Sequence, residues 1–250
     1  MQTNLAVSRL GAVLRIVFDR PEKRNALDQA SYLAAIAALE TASADDELRV
    51  VLLSGAGGVF TAGNDLADFR GFDPSIGAAF PALRFVKALA GFEKPVVAAV
   101  AGDAIGVGTT MLFLSDLVYA APNARFKMPF VDLGLPPEAG ASLLAPLRFG
   151  HAKAAQYLML GEAFDAEEAL RLNLVNAVVE PDLLDATALG AAQRLAQKPM
   201  RALMETRRLL RGDVGELQRR IDEEARVFFE ALQGPEAQAR FAAFLAKSRG

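Results

Sequence analysis

The sequence predicts an α/β protein with a helical C-terminal part, and three observations carry that prediction. Through the N-terminal half, short β-branched runs that are apolar on both faces alternate with runs of 3.6-residue period. From Asp165 onward the pattern is helical. The 250 residues are 52% hydrophobic and 23% charged, which suits a sizeable buried core and excludes a disordered chain.

Taken in order, Ala12 to Phe18 reads as a strand that stops at Arg20-Pro21. Asp28 then caps a helix whose apolar face carries Tyr32, Leu33, Ile36 and Leu39. Arg49 to Ser54 is a second strand, closed by Gly55 to Gly58, and Pro95 to Val100 a third, closed by Ala101-Gly102-Asp103. Leu117 to Ala120 is a fourth. Strands buried on both faces and separated by helices imply parallel pairing. Apolar helices are expected over Thr110 to Leu114 and His151 to Leu160, followed by a near capping box at Asp165-Ala166-Glu167-Glu168. Helices over Ala186 to Gln197, Met200 to Arg211, Glu216 to Gln233 and Pro235 to about Lys247 complete the chain. There is no internal repeat and no low-complexity linker, so the parts form one unit.

Composition removes several chemistries. With 27 Lys+Arg against 30 Asp+Glu the net charge is −3, which argues against a nucleic-acid backbone binder. Zero Cys excludes disulfides, thiolate metal sites and cysteine nucleophiles. His151 is the single histidine, so multi-histidine metal sites are out. It opens a helix after Gly150, and no Gly-x-Ser-x-Gly elbow accompanies it. Arg9 and Arg15 interrupt the first apolar run, and Pro95 to Gly102 is far short of the roughly 20 residues a spanning helix needs. The final Lys-Ser-Arg-Gly is no peroxisomal address, so a cytoplasmic protein is expected.

Two glycine-bearing turns follow strands: Phe60 to Leu66, and Gly102 to Thr109. A glycine-rich turn entering a helix leaves backbone N–H groups free for a phosphate or a developing oxyanion. Gly106-Val107-Gly108 departs from the dinucleotide fingerprint, whose third glycine would fall at Met111, and no Walker lysine follows. A tight strand–helix corner without a ligand also accounts for these glycines.

A third region runs from Phe126 to Gly140. Glu138 lies between Pro137 and Ala139-Gly140, at the mouth of an apolar helix containing Leu143 and Leu144. A first-turn glutamate favours the helix dipole. The alternative is that, among Pro, Phe and Leu, the same carboxyl has a raised pKa suited to a general base. Asp132 reads as a surface carboxylate, with a reserve role as base.

In their order and separations these segments resemble the crotonase (enoyl-CoA hydratase/isomerase) superfamily. The resemblance rests on Arg20-Pro21 with Asn25-Ala26-Leu27, Leu53 to Gly57, and Phe60-Thr61-Ala62-Gly63-Asn64-Asp65-Leu66. It continues through Lys94 to Val100, the turn Gly102 to Gly108, Ser115 to Ala120, and Leu160-Gly161-Glu162. It implies a spiral of ββα units over residues 1–195 and a C-terminal helical region, 196–250, serving oligomerisation and covering the coenzyme A site. It also implies a homotrimer or dimer of trimers, an acyl-CoA thioester substrate, and no metal or cofactor beyond the coenzyme A of that substrate.

Carried over by position, the backbone N–H groups of Asn64 and Val107 would hold the thioester enolate oxygen. Such donors are each worth about 3 kcal/mol. Hydratases of the family use two glutamates, and this sequence has Thr110 and Phe130 at those positions. The loop Met128-Pro129-Phe130 to Pro137-Glu138-Ala139-Gly140, with Ala62 to Leu66, looks like the Δ3,Δ2-enoyl-CoA isomerase branch. There one carboxylate, here Glu138, shuttles the proton. Thr110, Phe130 and Asp132 are expected around the acyl group. Arg24, Ala26, Ala62, Asp65, Leu66 and Lys247, with Lys23, are the candidates for coenzyme A. A hydratase or another crotonase-type lyase or isomerase is the alternative reading, and a non-catalytic coenzyme A-binding protein the outside one.

Overall fold

The computed structural model describes residues 4–69 and 74–247. The chain opens with β1 (Leu5–Leu10), β2 (Val13–Phe18), α1 (Gln29–Ala44), β3 (Val50–Gly55), α2 (Pro81–Gly91) and β4 (Val96–Val100). Then come β5 (Asp103–Ile105), α3 (Val107–Thr110), β6 (Leu117–Ala120), β7 (Arg125–Lys127), α4 (Ala141–Phe149) and α5 (His151–Met159). The rest is β8 (Ala163–Asp165), α6 (Ala166–Arg171), β9 (Ala177–Val178) and the helices α7 (Pro181–Ala196), α8 (Met200–Arg211), α9 (Val214–Leu232) and α10 (Pro235–Lys247).

Strand order explains the path. One sheet runs β1-β2-β3-β4-β6-β9 and a second runs β5-β7-β8. Every pairing in the larger sheet is parallel except the β1–β2 hairpin, so each return of the chain adds a strand on the same side. After β4 the chain enters the second sheet as β5, and after β6 it enters it as β7. The result is a spiral whose successive turns stack, the α/β architecture expected from the sequence.

Both faces of the large sheet are covered, as strands apolar on both sides require. Val13, Val50, Leu52, Val97 and Ala99 meet Leu184, Ala188 and Ala191 of α7. Their neighbours Leu14, Ile16, Val51, Leu53 and Ala98 face the main core with α1, α2 and α9. Asp28 caps α1 by accepting from the Ser31 N–H at 2.8 Å, and Asp165 caps α6 through Glu168 N–H at 2.8 Å. Buried Arg207 holds α8 down, its Nε 2.8 and 2.9 Å from the two Asp116 oxygens and its Nη1 donating to the Glu93 carbonyl at 3.0 Å. Among the described residues no helix is long and apolar enough to cross a membrane.

Several elements differ from the sequence expectation. The edge strand β1 leaves most of its residues exposed, so it lacks the apolar signature of the inner strands. The strands β5, β7 and β8 have three residues each, too few for a period to register. The helix expected over Thr110 to Leu114 begins earlier, as α3 at Val107, and tightens into a 3-10 turn over Met111–Leu114. The helical C-terminal third also contains β9, which pairs with β6.

Asn25 fastens the turn after β2 to the loop after β3. It is buried in a left-handed conformation (φ +57°). Its Nδ2 donates to the carbonyls of Ala56 at 2.9 Å and Val59 at 2.6 Å, and its Oδ1 accepts the Arg20 N–H at 2.8 Å. Asn25→Ala is expected to lower the unfolding free energy by about 3 kcal/mol, from unsatisfied buried groups and the positive φ. Asn25→Gly, which removes only the second penalty, should recover about 1 kcal/mol of that. Denaturant titration of the three proteins checks this, and unchanged midpoints would refute it.

Candidate active site

Consecutive turns of the spiral bring three sequence-distant segments together. After β3 the chain passes through Thr61 to Asp65, and after β4 through Ala104 to Gly108. The two run side by side: Thr61 N–H donates to Asp103 O at 2.9 Å and Ile105 N–H to Thr61 O at 3.0 Å. Glycine makes this approach possible. A Cβ on Gly63 (φ +86°) would lie 2.5 Å from the Ile105 carbonyl oxygen, and one on Gly108 would lie 2.7 Å from the Thr61 methyl. The next turn docks in the same way, with Gly106 N–H donating to Lys127 O at 2.8 Å, and after β7 it delivers the loop that carries Glu138.

Asn64 and Val107 therefore occupy equivalent points of adjacent turns. Among the described residues neither backbone N–H donates to a protein acceptor, although Val107 has no exposed surface. Buried N–H groups are nearly always partnered, so this pair is available to something the chain itself does not supply. The Asn64 side chain is held separately, its Oδ1 accepting from the hydroxyl of fully buried Tyr32 at 2.5 Å. Burial pushes the Tyr32 phenol well above its ordinary pKa, so it remains a donor.

Glu138 and Asn64 line one pocket. The other walls are largely apolar and include Phe69, Phe80 and Val86 together with Ile221, Phe228 and Phe229 of α9. Phe69 packs against Phe80 and Phe228 with ring centroids 5.8 and 6.0 Å apart. Glu138 is half-buried, and its Oε1 accepts a 2.8 Å hydrogen bond from the hydroxyl of fully buried Thr110. Loss of water pushes the Glu138 carboxyl up to about 7, against the lowering effect of the Thr110 bond and with a further push from nearby Glu224. A carboxyl near 7 in an apolar pocket can both take and return a proton at neutral pH.

None of the three expected neighbours of the acyl group lines this pocket: Thr110 lies behind it, bonded to Glu138. Phe130 is buried in the main core. Asp132 is exposed and paired with Lys127 Nζ at 3.3 Å, because the 3-10 turn Val131–Leu133 faces it outward. His151 opens α5 and is exposed. The coenzyme A candidates Arg24, Ala26, Ala62, Asp65 and Leu66 form a continuous strip beside Asn64: Ala62 N–H donates to Arg24 O at 2.9 Å and Asp65 N–H to Leu27 O at 2.9 Å. Asp65 is held by Arg20 at 2.8 Å, exposed Arg24 pairs with Asp103, and Lys23 is exposed. The Lys247 side chain lies outside the described residues. The α9 walls and Glu224 were missed by the sequence reading; the spacing of Leu217, Ile221, Ala225 and Phe228 marks one helical face, but not what it faces.

Comparison with known proteins places this geometry. Residues 9–249 match the model of the enoyl-CoA hydratase/isomerase family. The chain is 34% identical over 225 residues to enoyl-CoA delta isomerase 2 of Rattus norvegicus, covering 88% of this chain and 57% of the rat protein. It is 33% identical over 209 residues to the 2,3-dehydroadipyl-CoA hydratase of Escherichia coli (strain K12), covering 84% of this chain and 82% of that one. The crystal structure of an enoyl-CoA hydratase/isomerase from Pseudoalteromonas atlantica T6c superposes with a TM-score of 0.92 at 42% identity, covering 98% of this chain and 97% of that one. With its spiral fold, paired free amides and near-complete sequence match, the chain belongs to the enoyl-CoA hydratase/isomerase family, the crotonase superfamily.

Proposed function

We propose that the protein is an acyl-CoA isomerase that moves a C3=C4 double bond to C2=C3. The observation that carries the reading is a single carboxyl, Glu138, facing an apolar pocket that Asn64 also lines, with the Asn64 and Val107 amides on adjacent turns left unpartnered. Ionised Glu138 removes a proton from C2 of a 3-enoyl-CoA. The electron pair moves into the thioester carbonyl, and the Asn64 and Val107 N–H groups hold the resulting oxyanion. The protonated Glu138 then returns the same proton to C4, the double bond settles at C2=C3, and the carboxylate is regenerated. Nothing else is consumed.

Hydration needs a second group to orient water, and Thr110 offers only a hydroxyl already bonded to Glu138. The apolar walls oppose water as well. Coenzyme A would lie along the strip Arg24, Ala26, Ala62, Asp65 and Leu66, with Lys247 as a phosphate partner. The family resemblance supports a homotrimer or dimer of trimers. Hydratases among the relatives make hydration the competing outcome.

With trans-3-hexenoyl-CoA the enzyme is expected to raise the 2-enoyl thioester absorbance, and crotonyl-CoA should lose its absorbance far more slowly. The reverse order would assign a hydratase. Glu138→Gln should lower isomerase kcat by about a thousandfold, and full turnover by that variant would remove Glu138 from the chemistry. Because the base must be ionised, kcat/KM should fall as pH drops through about 7, the value to which burial lifts Glu138. Thr110→Val removes a bond that favours the carboxylate, so the acid limb should move to higher pH. A pH–rate series on both proteins checks the sign.

A further inference from the structure

We infer that Glu224, on helix α9, is a positioning residue for Glu138: it clamps the turn that presents the base and places a second carboxylate behind it. This rests on the reading of Glu138 as the proton-shuttling group and adds a role that the shuttle itself does not require.

Glu224 is 4% exposed. Its two oxygens each accept a backbone N–H, Oε2 from Gly140 at 2.6 Å and Oε1 from Ser142 at 2.8 Å. Those amides belong to the turn immediately following Glu138. The turn is conformationally demanding: Ala139 and Gly140 are both left-handed, at φ +62° and +75°. A left-handed alanine costs roughly 1 kcal/mol, so an external partner is needed to hold it. Gly140 also lies against α9 so closely that a Cβ there would sit 2.5 Å from Leu217 Cδ1. The entry to α4 is thus fixed by α9, and Glu224 supplies the polar part of that grip.

Charged groups stand on each of the elements α2 and α4 that pack against α9. Across the turn stands Glu138, which it pushes toward its protonated form. On its own helix Arg220 reaches Ser142 Oγ at 3.2 Å and pairs with Glu223 at 3.2 Å. On α4, Arg148 donates to Phe113 O at 2.9 Å, and on α2, Lys87 pairs with Asp222 at 2.6 Å. A neutral acceptor could satisfy much of the turn without bringing two carboxyls into one buried neighbourhood, an arrangement that costs stability. The arrangement is consistent with a base that must hold a proton between C2 and C4. The same helix also walls the pocket through Ile221, Phe228 and Phe229, so the acyl chain and the base are referenced to one rigid element.

Steady-state kinetics over pH with trans-3-hexenoyl-CoA, on the wild type, Glu224→Gln, Glu224→Asp and Glu138→Gln, test the inference. Glu224→Gln should lower kcat about tenfold with KM within about twofold. It should also move the acid limb of kcat/KM to lower pH by roughly half a unit, as one buried negative charge is lost. Glu224→Asp keeps the charge and should keep the limb, while its shorter reach lowers kcat. A Glu224→Gln protein with reduced melting temperature but unchanged kcat and limb would overturn the inference and leave a purely structural residue. If that variant does not fold, Glu224→Asp decides: a tenfold loss of kcat supports positioning, and wild-type kcat overturns it. Turnover retained by Glu138→Gln would defeat the functional reading itself. A dead Glu138→Gln beside an unaffected Glu224→Gln would defeat only the role of Glu224.

Discussion

The approach of one backbone turn to the next, at distances that leave no space for a side chain, governs the rest of this molecule. Gly63 lies against the Ile105 carbonyl and Gly108 against Thr61, so the segments after β3 and β4 are joined main chain to main chain. That contact sets the separation of Asn64 and Val107 without reference to either side chain. It also removes the freedom that would let the two amides find acceptors of their own. A donor pair kept rigid and unpartnered needs no reorganisation when negative charge forms beside it.

Glu138 is held by the opposite strategy, through side chains. Loss of water raises its proton affinity, the Thr110 hydroxyl lowers it, and Glu224 raises it again. The balance falls near neutrality, where a carboxyl can exchange a proton in either direction. An apolar pocket alone would overshoot toward a permanently protonated acid, and a fully solvated one would leave a weak base. The proton affinity of Glu138 therefore reflects a compromise among three residues that come from α3, from the loop before α4, and from α9.

The C-terminal helices belong to the site as much as the spiral does. Leu217, Ile221, Phe228 and Leu232 of α9 join the same core cluster as β2, β3 and α2. Ile221, Phe228 and Phe229 form part of the pocket wall. Buried Arg207 ties α8 to Asp116 at the start of β6. The spiral provides the two unpartnered amides, and α9 provides much of the apolar enclosure around Glu138.

Local signals in the chain were enough for the inner strands, the Asp28 and Asp165 caps and most long helices, because each depends on residues within a few positions. The ordered motifs also marked Asn64, Val107 and Glu138, since glycine turns and a Pro-flanked glutamate leave traces in the sequence. The three-residue strands β5, β7 and β8 left none, as their existence depends on pairing with distant segments. Phe130 and Asp132 were expected beside the acyl group from the family resemblance, Phe130 because it stands at a position where hydratases carry a glutamate. The 3-10 turn at Val131–Leu133 instead sends Asp132 to solvent, and Phe130 packs into the core. The pocket's true walls, Phe69, Phe80, Phe228 and Phe229, are separated by up to 160 positions, and Glu224 stands 84 positions from the Gly140 amide it holds. Local patterns in the chain pointed to the glycine-bearing turns and to Glu138 as candidates. The tertiary structure alone decided what surrounds that carboxyl, because proton affinity depends on burial and neighbouring charge, and both are made by chain segments that meet only on folding.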